Sequence, residues 1–189
     1  RSNDPRIRYE SLKTICVDLT QGEMKLLRGM DADCRNQVRQ SEQRGAECRV
    51  SNPDRGDWLS SYYEMTTELY RRQGRPPAIP RAFFENLVDE FGSTGKLKLF
   101  VATYHQEMIA AGIYLVDNCR FYGLDLVSRQ AHHRLRPNNL IEWTCMRWAI
   151  QQGLRTYDEL GANIPGIARF KKGFGGRFVP YVTFQRSKD

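Results

Sequence analysis

Alternating apolar and polar positions mark the predicted strands of this chain. Residues 12–19 are rich in β-forming side chains, which fall on opposite sides of an extended backbone. Similar patterns predict strands at residues 46–51, 96–104, 107–116, 119–127, 156–160 and 178–185. The three strands between residues 96 and 127 are joined by short polar connections, which is typical of an antiparallel meander.

Helical spacing of apolar residues predicts four helices. The first begins at Thr20, with Glu23 in the capping-box position, and continues to Arg44 before Gly45. The others cover residues 56–72, 80–91 and about 139–152, and residues 74–80 form a proline-rich linker.

This order of elements predicts an α+β fold. A mixed, mostly antiparallel central sheet is expected, covered by helices on both faces. The chain has 189 residues, enough for one sizeable core, so we expect residues 1–189 to form a single domain. The absence of an initial Met leads us to expect a piece of a longer protein.

The formal net charge of +7 favours an anionic partner, such as nucleic acid, a nucleotide-bearing cofactor, a phosphorylated sugar or an acidic membrane surface. No apolar run approaches the length of a membrane span, and the first residues have no signal-peptide core. Five scattered cysteines without a CxxC pair indicate a reduced, cytoplasmic setting with no disulfide framework. With three histidines, two of them adjacent, we expect no metal site.

A glycine-rich, doubly basic segment, residues 161–177, precedes the last predicted strand. We interpret it as a loop that can hold a polyanion, the alternative being a plain surface turn. Lys171 and Lys172 lie between the apolar anchors Phe170 and Phe174. Adjacent side chains point in different directions, so we expect at least one lysine to face a cleft.

Three local patterns, in this order, resemble the GNAT acyltransferase superfamily and within it the FemAB-like branch. The first is the basic helix RNQVRQSEQRG at residues 35–45. The second is PNNLI at 137–141 followed by WAIQQG at 148–153, and the third is YDELG at 157–161 followed by GIARFKKGFGG at 166–176. The likeness covers residues 14–181.

The resemblance implies a GNAT-like fold and an N-acyltransferase that uses acyl-CoA or aminoacyl-tRNA as co-substrate and an amine-bearing acceptor. It also implies a preceding domain of the same type, with this chain the C-terminal one, and a role in peptidoglycan or exopolysaccharide biosynthesis. One departure leaves the donor open, because residues 134–139 lack the glycines of the superfamily's pyrophosphate-binding turn. A helix N-terminus at this point could still bind an anion.

The resemblance places the acyl carbonyl and the acceptor beside Tyr122 and Asp125, our candidate catalytic residues. Tyr122 could donate a hydrogen bond to the leaving group or oxyanion, and Asp125 could position the amine or take its proton. The alternative for both residues is a structural role as half-buried packing residues, with no part in catalysis. Asp158 and Glu159 end a predicted strand, where active-site carboxylates often lie, although a helix cap or salt bridge is the simpler expectation.

Seven further residues are candidates for binding the donor or substrate. Arg35 and Arg39 share a helix face and could contact phosphates, although a solvated face would look the same. The whole set is Arg35, Arg39, Asn138, Asn139, Phe170, Lys171 and Lys172. Because the sequence offers no Ser-His-Asp or Cys-His arrangement, we expect direct transfer without an acyl-enzyme.

Two other functions fit the same observations. A basic domain with exposed aromatic residues could be a non-catalytic module that binds RNA or docks a partner. It could also be an N-acetyltransferase that acts on a small molecule.

Overall fold

The computed structural model describes residues 6–54 and 56–186. Its strands are β1 (Ile7–Asp18), β2 (Glu47–Ser51), β3 (Leu97–Tyr104), β4 (Glu107–Asp117), β5 (Arg120–Ser128), β6 (Thr156–Asp158) and β7 (Arg177–Arg186). They form one sheet in the order β2-β3-β4-β5-β6-β1-β7. Neighbouring strands are antiparallel except β5 and β6, which are parallel.

Helices cover both faces of this sheet. They are α1 (Glu23–Gly29), α2 (Ala32–Gln43), α3 (Trp58–Arg72), α4 (Arg81–Phe91), α5 (Pro137–Gln151) and α6 (Pro165–Lys172). Helices α1, α2 and α5 pack on one face, and α3 and α4 pack on the other. The predicted fold class is therefore confirmed.

Two apolar clusters lie on opposite faces of the sheet because strand side chains alternate. Phe100 of β3 packs under α5, whereas its neighbour Leu99 packs under α3 and α4. Helix α5 is buried over most of its circumference, and its apolar residues accordingly lie on more than one side of the helix. This helix is the element that closes the core over the centre of the sheet.

The prediction of a single helix from Thr20 to Arg44 is wrong, because the structure has two helices there, α1 and α2, separated by two non-helical residues. Met30 is extended, and the backbone N–H of Asp31 donates to the Gly173 carbonyl at 2.9 Å. The predicted capping box is also absent. The Thr20 hydroxyl donates to the Asp18 carboxylate at 2.6 Å, and α1 begins only after Gly22.

The segment predicted as a glycine-rich loop contains helix α6. Pro165 occupies the first turn of this helix, a position that proline favours, and the helix ends before Gly173. The glycines that follow allow the chain to approach β1. A Cβ atom on Gly176 would lie 2.4 Å from Ile15 Cγ2, so a larger residue does not fit there.

Strands β5 and β6 pair over only three residues and then diverge. The pairing joins Arg120–Tyr122 to Thr156–Asp158, where β6 ends while β5 continues to Ser128. On its other side, β5 has a bulge at Leu124, between the positions that face Tyr114 and Ile113 of β4. A cleft therefore opens in the middle of the sheet.

Candidate active site

The cleft between β5 and β6 has a volume of about 320 Å³. Helix α5 and helix α6 complete its walls. The residues that line it are Tyr114, Gly123, Leu124, Asp125, Leu126, Asn138, Glu142, Tyr157, Glu159, Gly166, Ile167, Phe170 and Lys171. Three carboxyl groups and one lysine thus share a small, mostly apolar space.

Glu142 lies on α5 and is buried under the sheet. Its Oε2 accepts a hydrogen bond of 2.6 Å from the Tyr157 hydroxyl, and its Oε1 accepts one of 3.4 Å from Tyr114. Burial raises the pKa of Glu142, and the hydrogen bonds from the two tyrosines oppose that rise. The carboxyl group is therefore held in one orientation by two strands of the sheet.

Glu159 follows β6 at the point where the strands diverge. Its backbone N–H donates to the Ile15 carbonyl at 2.9 Å, which fixes the main chain beside β1. The residue is 1% exposed, and neither carboxyl oxygen has a hydrogen-bond partner within the described residues. Burial and the nearby Glu142 raise the pKa of Glu159, while the charge of Lys171 lowers it.

Lys171 connects α6 to the turn after β6. Its Nζ donates to the carbonyl oxygens of Glu159, Leu160 and Gly161, the last at 3.0 Å. Leu160 and Gly161 have φ of 42° and 56°, which directs successive carbonyls to the same side. Burial lowers the pKa of Lys171, and the charge of Glu159 opposes this effect. The lysine thus fixes the cleft wall and places a positive charge beside the carboxyl groups.

Asp125 enters the cleft from β5, next to the bulge. Tyr62, which is fully buried on α3, donates its hydroxyl hydrogen to Asp125 Oδ2. Burial raises the pKa of Asp125, and the Tyr62 hydrogen bond opposes that rise. A helix on the far face of the sheet therefore orients a carboxyl group of the cleft.

The N-terminus of α5 forms the mouth of the cleft. Arg136 has the left-handed φ of 55°, and Pro137 begins the helix without a backbone N–H. The N–H groups of Asn139 and Leu140 donate to the Arg136 carbonyl at 3.1 and 3.3 Å. Asn138 faces the cleft, and its side-chain oxygen is buried without a partner among the described residues. This helix start has fewer free N–H groups than a glycine-rich turn.

Four of the nine predicted site residues meet in the cleft. They are Asp125, Asn138, Phe170 and Lys171. The structure separates the two adjacent lysines as predicted, because Lys172 instead donates to the Gly176 carbonyl at 2.5 Å. Catalysis by Asp125 and ligand binding by the other three residues stay predictions.

The other predicted residues lie outside the cleft lining. Tyr122 is half-buried on β5, opposite Leu115 of β4, on the strand face that packs toward α3 and α4. Asn139 is buried and donates to Cys34 Sγ at 3.8 Å. Their proposed roles in catalysis and binding stay predictions.

The two predicted arginines on α2 make local contacts. Arg35 donates to the carbonyls of Arg28 at 3.2 Å and of Met30, so it covers the C-terminal end of α1. Arg39 donates to Asn36 Oδ1 at 3.0 Å and is exposed. Whether either also contacts phosphate stays a prediction.

Glu142 is absent from the predicted site, although the sequence contains a signal for it. A carboxylate directly between the apolar residues Ile141 and Trp143 indicates a buried acidic group, which needs hydrogen-bond partners. Tyr157 and Tyr114 have no comparable signal, because strand tyrosines pack in most cores. For Glu159, the expected cap or salt bridge is absent from the described residues.

The sheet, its diverging central strands and the titratable cleft define the class as an α+β enzyme domain. A family model described as "Acetyltransferase (GNAT) domain" matches residues 30–172. The chain therefore belongs to the GNAT acetyltransferase-domain family, which confirms the predicted superfamily and the GNAT-type transferase class.

Solved structures with little sequence identity share the fold. FemX matches with a TM-score of 0.77 and 18% identity over 94% of this chain. The C-terminal domain of a putative lysylphosphatidylglycerol synthetase from Agrobacterium fabrum matches with a TM-score of 0.66 and 13% identity over 97%. L-PGS from Bacillus licheniformis matches with a TM-score of 0.62 and 13% identity over 97%.

The chain spans 61% of the length of FemX and 63% of each of the other two proteins. The match to FemX agrees with the predicted FemAB-like branch at the level of the fold. A search of curated protein sequences gave no match. In the part of the chain that the structure describes, no helix has the length and apolar character needed to cross a membrane.

Proposed function

We propose that this chain transfers an acyl or aminoacyl group from a phosphate-bearing donor to an amino group, with the reacting atoms in the cleft between β5 and β6. The observation that carries the proposal is the meeting of Asp125, Lys171 and the N-terminus of α5 around one opening in the sheet. A helix N-terminus attracts phosphate, and buried charged groups can act on a carbonyl and an amine.

The donor's phosphates would lie at the mouth of the cleft. Arg134 and Arg136 are exposed there, and Asn138 faces inward from the first turn of α5. Since Pro137 has no backbone N–H to offer at the first position of this helix, side chains would provide more of the phosphate contacts than in a glycine-rich turn. This supports aminoacyl-tRNA as a candidate donor alongside acyl-CoA.

Inside the cleft, the β5 backbone and Asp125 would act on the reacting groups. Beyond Tyr122 the edge of β5 is no longer paired with β6, so its N–H groups can bind the carbonyl oxygen of the donor. Asp125, oriented by Tyr62, would position the attacking amine. Lys171 would offset the negative charge that develops on the carbonyl oxygen.

The pathway and the domain arrangement follow only from the resemblance, the cytoplasmic setting follows from the cysteines, and all three are part of the proposal. We propose a cytoplasmic enzyme of peptidoglycan or exopolysaccharide biosynthesis, with this chain as the C-terminal of two similar domains. The name of the putative lysylphosphatidylglycerol synthetase denotes a lysyl product, which supports an aminoacyl group as one candidate for the transferred group.

Transfer can be tested directly with both donor classes. The protein is incubated with acetyl-CoA or with a mixture of aminoacyl-tRNAs, using n-butylamine as acceptor, and the amide product is measured by mass spectrometry. Asp125→Asn should lower the rate by roughly 100-fold, because a misplaced reacting group can cost a factor of this size. Glu90→Gln, the same change at an exposed position of α4, is the control and should keep the wild-type rate. If neither donor is consumed or bound, the proposed transfer is wrong.

A non-catalytic RNA-binding module is the rival function. The carboxyl groups of the cleft would repel RNA phosphates, so RNA alone would have to bind the basic exterior. RNA affinity that falls steeply with salt and is unchanged by Asp125→Asn would favour this module over the transferase.

A further inference from the structure

We propose that Glu159, supported by Glu142, binds the ammonium group of the acceptor and takes its proton before acyl transfer. The inference rests on the proposed function, in which the cleft receives an amine. It adds a second carboxyl group with a distinct role, since Asp125 positions the amine and Glu159 is the base.

The charge of the cleft is opposite to that of the chain. The whole chain has a formal net charge of +7, yet Asp125, Glu142 and Glu159 face the cleft with one lysine between them. Because fields are concentrated in a low-dielectric cleft, a cation is attracted to this interior when the carboxyl groups are ionised. An amine substrate is such a cation in water at neutral pH, because the pKa of a primary amine is similar to that of a lysine side chain.

Glu159 has unused hydrogen-bonding capacity. It is 1% exposed, and both carboxyl oxygens lack partners within residues 6–54 and 56–186. Glu142, in contrast, accepts from Tyr157 and Tyr114. An unpartnered buried carboxyl group is unfavourable, so it destabilises the native fold by an amount that a bound ammonium would offset.

Lys171 does not supply the missing donors. Its ammonium has three N–H donors, and the carbonyls of Glu159, Leu160 and Gly161 accept three hydrogen bonds. The lysine therefore moderates the negative charge of the cleft without hydrogen bonding to the Glu159 carboxylate. A ligand in the cleft can supply the donors that this carboxylate lacks.

Four apolar side chains also line the cleft, and they indicate the shape of the amine. Leu124 and Leu126 line it from β5, and Ile167 and Phe170 line it from α6. Such walls favour methylene groups behind the ammonium. The structure thus favours a primary amine on a short apolar stem as the acceptor class.

The proton balance of the step is simple. The ammonium R–NH₃⁺ gives one proton to the Glu159 carboxylate and becomes a neutral amine. The amine nitrogen attacks the donor carbonyl, the N–C bond forms, and the bond from carbon to the leaving sulfur or oxygen breaks. The second proton passes from nitrogen to the leaving group, and Glu159 then releases its proton to solvent.

The charge state of Glu159 depends on every group that faces it. Burial, Glu142 on α5 and Asp158 on β6 raise its pKa, and Lys171 on α6 lowers it, while the neighbouring Tyr157 stays neutral because burial raises its own pKa. A carboxyl group with a raised pKa is a better base near neutral pH than an exposed one. Ammonium binding should therefore strengthen as pH rises and this carboxyl group ionises.

Binding of n-butylammonium chloride, with n-butanol as a neutral probe of equal length, tests the inference without any donor. Both are titrated into the protein and followed by NMR chemical shifts of the cleft residues. Butylammonium should bind at least about tenfold more tightly than butanol, and Glu159→Gln should remove about tenfold of its affinity while Glu90→Gln removes none. The affinity for butylammonium should rise with pH above the ordinary titration range of a glutamate, and it is measured below the pKa of the amine, where the amine itself stays charged.

The two proposals fail in different ways. Equal binding of butylammonium and butanol to the wild type, which needs no variant to fold, would overturn the role of Glu159. So would a Glu159→Gln variant with a wild-type unfolding transition and unchanged ammonium affinity. Ammonium binding without acyl transfer from either donor would instead retain the amine site and remove the proposed function.

Discussion

The two faces of the central sheet bury different kinds of side chain. Under α3 and α4, the buried side chains are almost all hydrocarbon or aromatic, with Phe84 and Met65 at the centre. Under α5 and α6, the same sheet buries Glu142, Glu159 and the hydroxyl groups of two tyrosines beside an apolar cluster.

Because of this difference, the face under α3 and α4 contributes stability, whereas the face under α5 and α6 also holds the groups proposed to take part in the reaction. Apolar burial stabilises a fold without directing any reaction, whereas buried carboxyl groups cost free energy and persist only where other interactions offset that cost. Tyr62 links the faces, because it is packed among the α3 and α4 residues yet donates to Asp125 in the cleft. The purely apolar face is thus also a support for the site.

The largest expected effect is on the apolar face. Phe84→Ala removes a fully buried ring and should lower the free energy of unfolding by about 3–5 kcal/mol. Phe83→Ala, next to it but 41% exposed, should cost about 1 kcal/mol or less. Urea denaturation followed by circular dichroism measures both. Equal losses at the two positions would contradict the assignment of Phe84 to the core.

An intermediate effect is expected on the face under α5 and α6, at the hydrogen bond between Tyr157 and Glu142. Tyr157→Phe removes the 2.6 Å hydrogen bond to Glu142 and should lower the free energy of unfolding by about 1.5–3 kcal/mol. Because that bond lowers the pKa of Glu142, its loss should raise this pKa further. The carboxyl carbon of Glu142, followed by NMR in a labelled protein, would show an unchanged titration if the bond were unimportant.

The smallest expected effect is a change in the slope of stability against pH. Burial raises the pKa of Glu159 above its value in the unfolded chain, so between the two values the folded state holds a proton that the unfolded state has lost. This group stabilises the fold less as pH rises through that window.

Glu159→Gln should therefore reduce the decline in unfolding free energy as pH rises above the ordinary pKa of a glutamate, measured by urea denaturation at each pH. Glu90→Gln should leave the decline unchanged, because Glu90 is exposed. A steeper decline in Glu159→Gln would show that the carboxyl group is stabilised in its charged form, and the two faces would then differ less than we describe.

Much of the fold was predictable because its signals are local. The meander followed from alternation and short polar turns, and α3, α4 and α5 from apolar residues at helical spacing. The break before Asp31 was not predictable, because it depends on a hydrogen bond to Gly173, far away in sequence. Helix α6 was obscured by its flanking glycines, although Pro165 is a favourable first residue for a helix.

The candidate site was predictable only in part. Asp125 was found through the resemblance, and Lys171 through the basic, glycine-rich segment. No local pattern, however, predicts that Lys171 and not Lys172, or Glu159 and not Asp158, lines the cleft. That separation depends on where β5 and β6 stop pairing and on which side chain is then directed inward.

The sequence by itself determined the elements, their order and the basic character of the chain, since these depend on neighbouring residues and on charge count. The tertiary structure decided that a basic chain has a carboxyl-lined cleft. Glu142, Glu159 and Asp125 come from three separate elements, and only the divergence of β5 from β6 brings them around one space. Burial then changes their pKa values, a property that no short segment of sequence contains.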